Sequence, residues 1–229
     1  MSLRSVADQP SLVARVHEAI FDAICDGRLK PEEPLRQERL AEMLGVSRQP
    51  VHVALGQLAR QGIVIENGRR GVRVAPLDPA FVGQLYAVRG ALDGLAARAA
   101  AGRLDPVARR ASQQVIAEGR AAVASGDVAR MIAADLAFHQ FVYDQAGNPM
   151  IARTLDLHWR HIRRVMGHIL RLGVRSRAAL DRIWREHQAI LDAITEGNAD
   201  LADRLSRDHA NRAAEELSNW LKQPPEAAQ

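Results

Sequence analysis

Apolar side chains in residues 80–221 recur at three- and four-residue steps, which is the spacing of one helix face. Five short interruptions, rich in glycine, proline and helix-capping residues, break this pattern. In chain order they read GRLDP, SGD, AGNP, RLGVRS and EGNAD. They predict six helices, with approximate bounds 80–102, 106–124, 127–145, 149–172, 177–196 and 199–221. Because the connections are short, the pattern predicts an antiparallel six-helix bundle over residues 80–222.

The first 75 residues follow a different pattern, of three helices and two short β-rich runs. An apolar stripe predicts a first helix from Ser11, a good N-cap residue, to Cys25. A second, short helix is predicted in RQERLAEMLG, and Ser47 is expected to cap a third. The stretch IVIENGRRGVRVA predicts a hairpin around a glycine-containing turn. Residues 1–75 are therefore predicted to form a winged helix-turn-helix, joined to the bundle by a short linker at 76–79.

Composition and the chain ends narrow the class of protein. The chain of 229 residues is 47% hydrophobic but only 4% aromatic, which favours a mainly α fold of helices packed on helices. It has no apolar run of the roughly 18 residues that a membrane span needs, and its start does not resemble a signal peptide. The single cysteine, Cys25, excludes an internal disulfide, and we expect a cytoplasmic protein. The last residues, 223–229, are expected to form a frayed tail.

Basic residues are concentrated in one segment. Between Arg36 and Arg73, seven arginines stand against three glutamates, so this segment carries a charge equal to the net charge of the chain, +4. A local basic patch on an otherwise balanced molecule indicates a nucleic-acid-binding surface. Apolar residues of the third helix share one face, which leaves Arg48, Gln49 and His52 on the opposite face.

One aspartate and three histidines occupy suggestive positions in the helical region. Asp135 and His139 are four residues apart on the third bundle helix, so they share one face. His187 and His209 each have apolar neighbours at helical spacing, which predicts that both face the bundle interior. One carboxylate and three imidazoles inside a bundle suit Zn, Ni, Mn or Fe and leave one or two coordination positions open.

The residues alone leave alternatives to a metal site open. Isolated buried histidines are commonly hydrogen-bonded core residues, and an Asp–His pair at this spacing is commonly a surface pair. A second histidine stripe, formed by His158, His161 and His168 on the fourth bundle helix, competes with the first set. The sequence has no HExxH motif and no paired cysteines that would narrow the choice.

Several stretches resemble one known family. LRQERLAEMLGVSRQPVHVALGQLARQGIVIENGRRGVRV is similar to the winged-helix domain of GntR-type bacterial transcription regulators. YAVRGALDGLAARAAA, DLAFHQFVYDQAGNPMI and REHQAILDAITEGNADLADRLSRDHA resemble the all-helical effector domain of the FadR-like subfamily. The resemblance covers nearly the whole chain, and the count of six helices is similar to the VanR-type branch of that subfamily.

The resemblance implies a homodimer that binds a palindromic operator on double-stranded DNA and responds to a small metabolite. The metal-binding positions of the family are occupied here by Asp135, His139, His187 and His209. We expect a divalent transition metal there, with zinc as the first choice. The resemblance also places Arg89 where an arginine commonly faces the effector cavity. Asp93 departs from the family, which usually has glutamate at this position.

On the DNA side, two groups of residues are expected to make contacts. The major groove and its phosphates are expected to meet Arg39, Ser47, Arg48, Gln49 and His52. The wing is expected to consist of Asn67, Gly68, Arg69 and Arg70. His52 stands where the family usually has an arginine, and a neutral imidazole makes one bond to a base where a guanidinium makes two.

These features predict a transcription regulator, and a repressor in particular, rather than an enzyme. We expect a small carboxylate, bound to the metal and anchored by Arg89, to control operator binding. The alternative is a metal-dependent enzyme that acts on a small organic acid and carries a vestigial DNA domain. The inferred site offers no general base that is not also a ligand, which argues against that alternative. A third hypothesis is a protein-interaction module whose fold is stabilised by zinc.

Overall fold

A computed structural model of the protein describes residues 10–68, 71–173 and 175–222. The chain divides into two compact units, Met1–Pro76 and Leu77–Gln229. Each unit has an apolar core of its own. Among the described residues, every helix is too short or too polar to cross a membrane. The predicted wing residues Arg69 and Arg70 and the predicted tail lie outside the described residues.

In its described residues, the first unit is a small helical domain with a three-stranded sheet. Its helices are Leu12–Cys25 (α1), Gln37–Leu44 (α2) and Arg48–Arg60 (α3), and its strands are Pro34–Leu35 (β1), Val64–Glu66 (β2) and Val72–Val74 (β3). All neighbouring strands are antiparallel, and β3 lies between β1 and β2. The sequence pattern predicted only the β2–β3 hairpin, because a strand of two residues is too short to show an alternating pattern.

Helix ends in the first unit follow local chemistry. Ser11 Oγ accepts a hydrogen bond from the Ala14 N–H at 3.2 Å, which caps α1 as predicted. Ser47 holds the N-cap position of α3 with an extended backbone, but its side chain forms no capping hydrogen bond. Pro50 lies in the first turn of α3, where a missing N–H costs little. The side chain of Ser47 is exposed beside this turn.

The second unit is helical throughout its described residues. Its six helices are Pro79–Ala100 (α4), Pro106–Ser125 (α5), Val128–Ala146 (α6), Pro149–Arg171 (α7), Arg177–Thr195 (α8) and Ala199–Lys222 (α9). Each end lies within two residues of the predicted position. Side chains in the predicted interruptions cap these helices: Asp105, Asp127, Asn148 and Ser176 each accept a backbone N–H at a helix start. The prediction of a mainly α fold with a helix-turn-helix and a six-helix unit is confirmed.

An apolar core fixes the positions of the helices that carry the candidate site. Phe138 on α6 and Trp184 and Ile190 on α8 belong to one buried cluster. The Trp184 ring lies directly against Gly119 of α5, where a Cβ atom would be about 2 Å from three ring carbons. Several polar side chains of α4, α6, α8 and α9 are also buried inside this unit. Their burial requires partners for them, because an unpaired polar group in a dry interior is costly.

Candidate metal centre and DNA-binding surface

Three imidazoles from three helices meet inside the second unit. His139 lies on α6, His187 on α8 and His209 on α9, and each is at most 4% exposed. One ligand atom from each lies within 4.8 Å of the other two, and among the described residues no other such group of metal-ligating side chains occurs. The Nε2 atoms of His187 and His209 are 3.2 Å apart.

A carboxylate adjoins this cluster. Asp135 lies one helical turn before His139 on α6 and is buried. Its Oδ2 is 3.9 Å from Nε2 of His139, and its Oδ1 is 3.7 Å from Nε2 of His187. The structure therefore brings together the four residues that the sequence singled out as candidate metal ligands.

These four side chains fit a transition metal. Two nitrogen ligands about 2.0–2.1 Å from one zinc ion, at tetrahedral or octahedral angles, are about 2.8–3.4 Å apart. The distance of 3.2 Å between His187 and His209 falls in this range. Nδ1 of His187 is buried without a hydrogen-bond partner. Nε2 of the same ring is the nitrogen that faces His209 and Asp135. Imidazoles together with a carboxylate are a donor set that divalent transition metals accept.

Burial sets the charge state of the cluster. Removal from water lowers the pKa of His139 and of His187 well below 6.5, and the nearby Arg89 cation acts in the same direction on both. Burial also raises the pKa of Asp135, while the positive charge of Arg89 opposes that rise. Both imidazoles are consequently neutral near pH 7, which is the form that binds metal ions.

Arg89 places a cation beside the cluster. Its Nε donates to Oδ2 of Asp93 at 3.1 Å, and its Nη2 hydrogen-bonds with Nε2 of His139. Its guanidinium carbon lies 4.5 Å from the centre of the Trp159 ring and 5.0 Å from that of Tyr86. The nitrogen through which His139 would ligate a metal is thus engaged by Arg89 in this structure, and ligation requires Arg89 to withdraw from it.

Three neighbours of the cluster were not singled out from the sequence. Glu186 Oε2 is 2.8 Å from Nδ1 of His209, so a carboxylate holds the far side of that ring. Phe138 stacks on the ring of His187 with centroids 3.8 Å apart. Tyr143 donates its hydroxyl proton to Oδ1 of Asp93 at 2.5 Å. Glu186 directly precedes His187 in the sequence, but an acidic residue on a helix is too common to be noticed there.

A small cavity of about 10 Å³, enough for about one water molecule, adjoins the cluster on one side. Its lining combines imidazoles with polar and apolar side chains: Asp93, Phe138, His139, Val142, Tyr143, Ile190, Ser206 and His209. A lining of apolar side chains with a few convergent polar groups is usual for small-molecule sites.

The competing histidine stripe of α7 does not join the cluster. His158 is half-buried, and its Nδ1 lies 3.1 Å from the carbonyl oxygen of Thr154. His161 is buried, with its ring edge-on to Phe81 at 4.9 Å between centroids. Within the described residues, the group of three close imidazoles consists of histidines from α6, α8 and α9.

The residues expected to meet DNA lie on the surface of the first unit. The exposed ones on α2, on α3 and at the N-cap of α3 are Arg39, Ser47, Arg48, Gln49 and His52. In the predicted wing, the N–H of Asn67 donates to the carbonyl of Gly71 at 2.8 Å, which closes the loop after β2. Gly68, also in that loop, is exposed.

Each of the two units matches a known protein family. Residues 12–74 match the family described as bacterial regulatory proteins, gntR family, and residues 84–212 match the FCD domain. The chain belongs to the GntR family. The VanR-type branch suggested by the count of six helices stays a prediction.

Relatives in this family are transcription regulators. A probable D-xylose utilization operon transcriptional repressor from Paenarthrobacter nicotinovorans is 28% identical, over 87% of this chain and 85% of the relative. The regulator LutR from Bacillus subtilis is 27% identical, over 87% of this chain and 98% of its own length. The family and these relatives make the chain a DNA-binding transcription regulator and not an enzyme.

Solved structures share the fold. McbR/YncC from E. coli superposes with a TM-score of 0.78 at 19% identity, and the match covers 93% of this chain and 99% of that protein. A transcriptional regulator from a Rhodococcus species gives 0.75 at 22% identity, with 91% and 98% covered. At these identities, the likeness supports the architecture alone.

Proposed function

We propose that this regulator is a repressor whose binding to its operator is controlled by a small organic acid at a metal centre. The observation that carries the proposal is the buried group of three imidazoles beside a carboxylate. A core that only needed to be filled would favour apolar residues here, because each buried polar group must find a partner. Membership of a repressor-containing family supports the regulatory part.

In this proposal, the ion is held by Asp135, His139, His187 and His209. Neutral imidazoles and one carboxylate suit zinc, nickel, manganese or iron, of which we expect zinc. When bound, the metal supplies an open coordination position for a carboxylate oxygen. Glu186 orients one ligand by accepting a hydrogen bond from Nδ1 of His209.

The acid itself would lie beside the cluster, where the cavity of about 10 Å³ must widen to admit it. A carboxylate buried without a cation is unfavourable, and Arg89 is the cation nearest to His139. Its planar guanidinium can form two parallel hydrogen bonds with a carboxylate. Arg89 would then exchange its contact with His139 for one with the acid. The apolar part of the lining, such as Val142 and Ile190, limits the ligand to a small molecule.

The response of DNA binding follows from linkage. An acid that controls operator affinity must bind the DNA-competent and the DNA-incompetent forms of the protein unequally. We propose that the competent form is a homodimer on a palindrome, since two winged domains related by a two-fold axis meet two inverted half-sites. The contacts are assigned to Arg39, Ser47, Arg48, Gln49 and His52, with a wing of Asn67, Gly68, Arg69 and Arg70.

The proposal is tested by removing two ligands at once. The double variant His187→Ala/His209→Ala and the control His158→Ala are compared with the wild type for metal content. Thermal unfolding is then recorded for each protein with acetate, glycolate and succinate. We expect the wild type and the control to hold about one metal per chain and to be stabilised by at least one acid. The double variant should lose both properties. A double variant that still binds acid as the wild type does would overturn the proposal.

A further inference from the structure

The first two residues of α2 contact two outward side chains of α3. Nε2 of Gln37 lies 3.2 Å from Nδ1 of His52, and Oε1 of Glu38 lies 3.1 Å from Nη1 of Arg48. His52 and Arg48 are both exposed, on the surface where an operator would meet α3. The side chains available to DNA are therefore pairs that combine residues of both helices.

The Gln37–His52 pair leaves a defined set of hydrogen-bonding groups. A glutamine amide has an NH₂ donor and an oxygen acceptor, and a neutral imidazole has one N–H and one bare nitrogen. If the amide NH₂ donates to Nδ1, the imidazole keeps its proton on Nε2 and the amide keeps its oxygen. If the amide is turned over, Nδ1–H donates to its oxygen, which leaves the NH₂ group and a bare Nε2. In both arrangements the pair retains a donor on one residue and an acceptor on the other, together with one further amide N–H.

One donor next to one acceptor matches a single purine. In the major groove, adenine offers the acceptor N7 beside the N6–H donor, whereas guanine offers two acceptors, N7 and O6. A pair that presents the donor of one residue beside the acceptor of the other satisfies both groups of adenine. Against guanine, its acceptor would meet O6 with no proton between them. An arginine at the position of His52 would have the opposite preference, since it offers donors only.

We propose that Gln37 and His52 act as a composite reader that selects adenine at one position of each half-site, with Gln37 as a specificity-determining residue. The inference rests on the DNA-binding part of the proposed function and does not involve the metal or the acid. The neighbouring Glu38–Arg48 pair is a contrast, because a carboxylate only accepts and leaves donors alone on Arg48.

The test is selection of sites from a randomised palindromic DNA library with the full-length protein, without added acid. We expect the wild type to enrich adenine at one position of each half-site. Gln37→Ala should reduce the preference for adenine over guanine there about fivefold or more, and His52→Arg should change the selected base to guanine. Gln57→Ala replaces another glutamine of the same domain, outside the assigned contacts, and should select as the wild type does.

Two further results would overturn the composite reader. One is a wild type that selects guanine or has no preference at that position. The other is a folded Gln37→Ala protein, with unchanged thermal unfolding, that keeps the full preference for adenine. A wild type that enriches no palindrome contradicts the proposed function itself and the inference with it. A palindrome selected with a different base at that position contradicts the inference alone.

Discussion

Arg89 and Asp93 form an ion pair one helical turn apart on α4, with 3.1 Å between Nε and Oδ2 and both side chains at most 4% exposed. The hydroxyl of Tyr143 donates to the second oxygen of Asp93. The other end of the same guanidinium contacts His139 in the candidate metal centre. Arg89 therefore balances a buried carboxylate and also controls access to a candidate ligand atom.

Removal of Arg89 should destabilise the fold. Arg89→Met leaves Asp93 buried without its cation, and we expect the free energy of unfolding to fall by about 3–5 kcal/mol. The double variant Arg89→Met/Asp93→Asn should recover most of this loss, since neither charge of the pair remains buried. Chemical denaturation at one fixed protein concentration measures both. The exposed Arg98, changed to Met, is the control and should have a much smaller effect. Equal effects at the two arginines would show that the buried pair is not a stabilising element.

Glu186 should tune the affinity for metal. It accepts from Nδ1 of His209, which fixes the proton on that nitrogen and leaves Nε2 for a metal. Mutation of a residue that hydrogen-bonds to a metal ligand typically lowers metal affinity about 10–100-fold. We therefore expect Glu186→Gln to weaken zinc binding by that factor. Competition with a chromophoric chelator measures the affinity. The exposed Glu215→Gln is the matched control. An unchanged affinity for Glu186→Gln would remove Glu186 from the centre.

Two glycines of the helical unit should respond in opposite directions to alanine. A Cβ at Gly119 would lie 2.0 Å from the Trp184 ring, whereas a Cβ at Gly83 meets no atom within 4 Å. Gly119→Ala should lower the free energy of unfolding by about 1–3 kcal/mol, because a packed indole must shift. Gly83→Ala should raise it by about 0.4–1 kcal/mol, because it reduces the entropy of the unfolded chain. Thermal or chemical unfolding measures both changes in stability. A stabilised Gly119→Ala protein would contradict the close packing of Trp184 on Gly119.

The helices were predictable because their ends carry local signals. Asp105, Asp127 and Ser176 cap helices from side chains that the sequence displays directly before each apolar stripe. Strand β1 carries no such signal, since Pro34 and Leu35 form a strand only by pairing with β3. The periodic spacing of apolar residues does not reveal a contact between residues that are distant in the sequence.

The same limit applies to the candidate site. Helical spacing predicted that His187 and His209 face the interior, and the structure places them there. Spacing could not show that Arg89 reaches His139, 50 residues away, or that Tyr143 closes the network on Asp93. Those contacts depend on how helices cross, which is decided by packing.

DNA binding should depend strongly on salt. The basic segment between Arg36 and Arg73 would neutralise phosphates and release counterions, so operator affinity should fall steeply as salt rises. Arg39→Gln should reduce the slope of log affinity against log salt by about one and leave sequence preference unchanged. Fluorescence anisotropy across a salt series measures the slope. Arg120→Gln, on α5 of the other unit, should leave it as in the wild type. Operator binding that is insensitive to salt would contradict phosphate contact by this segment.

The most direct test of the account measures operator affinity with and without metal, in the presence and absence of acid. Labelled operator DNA is titrated with zinc-loaded and with chelator-stripped protein, each alone and with acetate, glycolate or succinate. The account predicts that at least one acid weakens operator binding of the zinc-loaded protein by about 5- to 150-fold. The same acid should leave the stripped protein unaffected. Equal release by the acid from zinc-loaded and stripped protein would contradict control through Asp135, His139, His187 and His209.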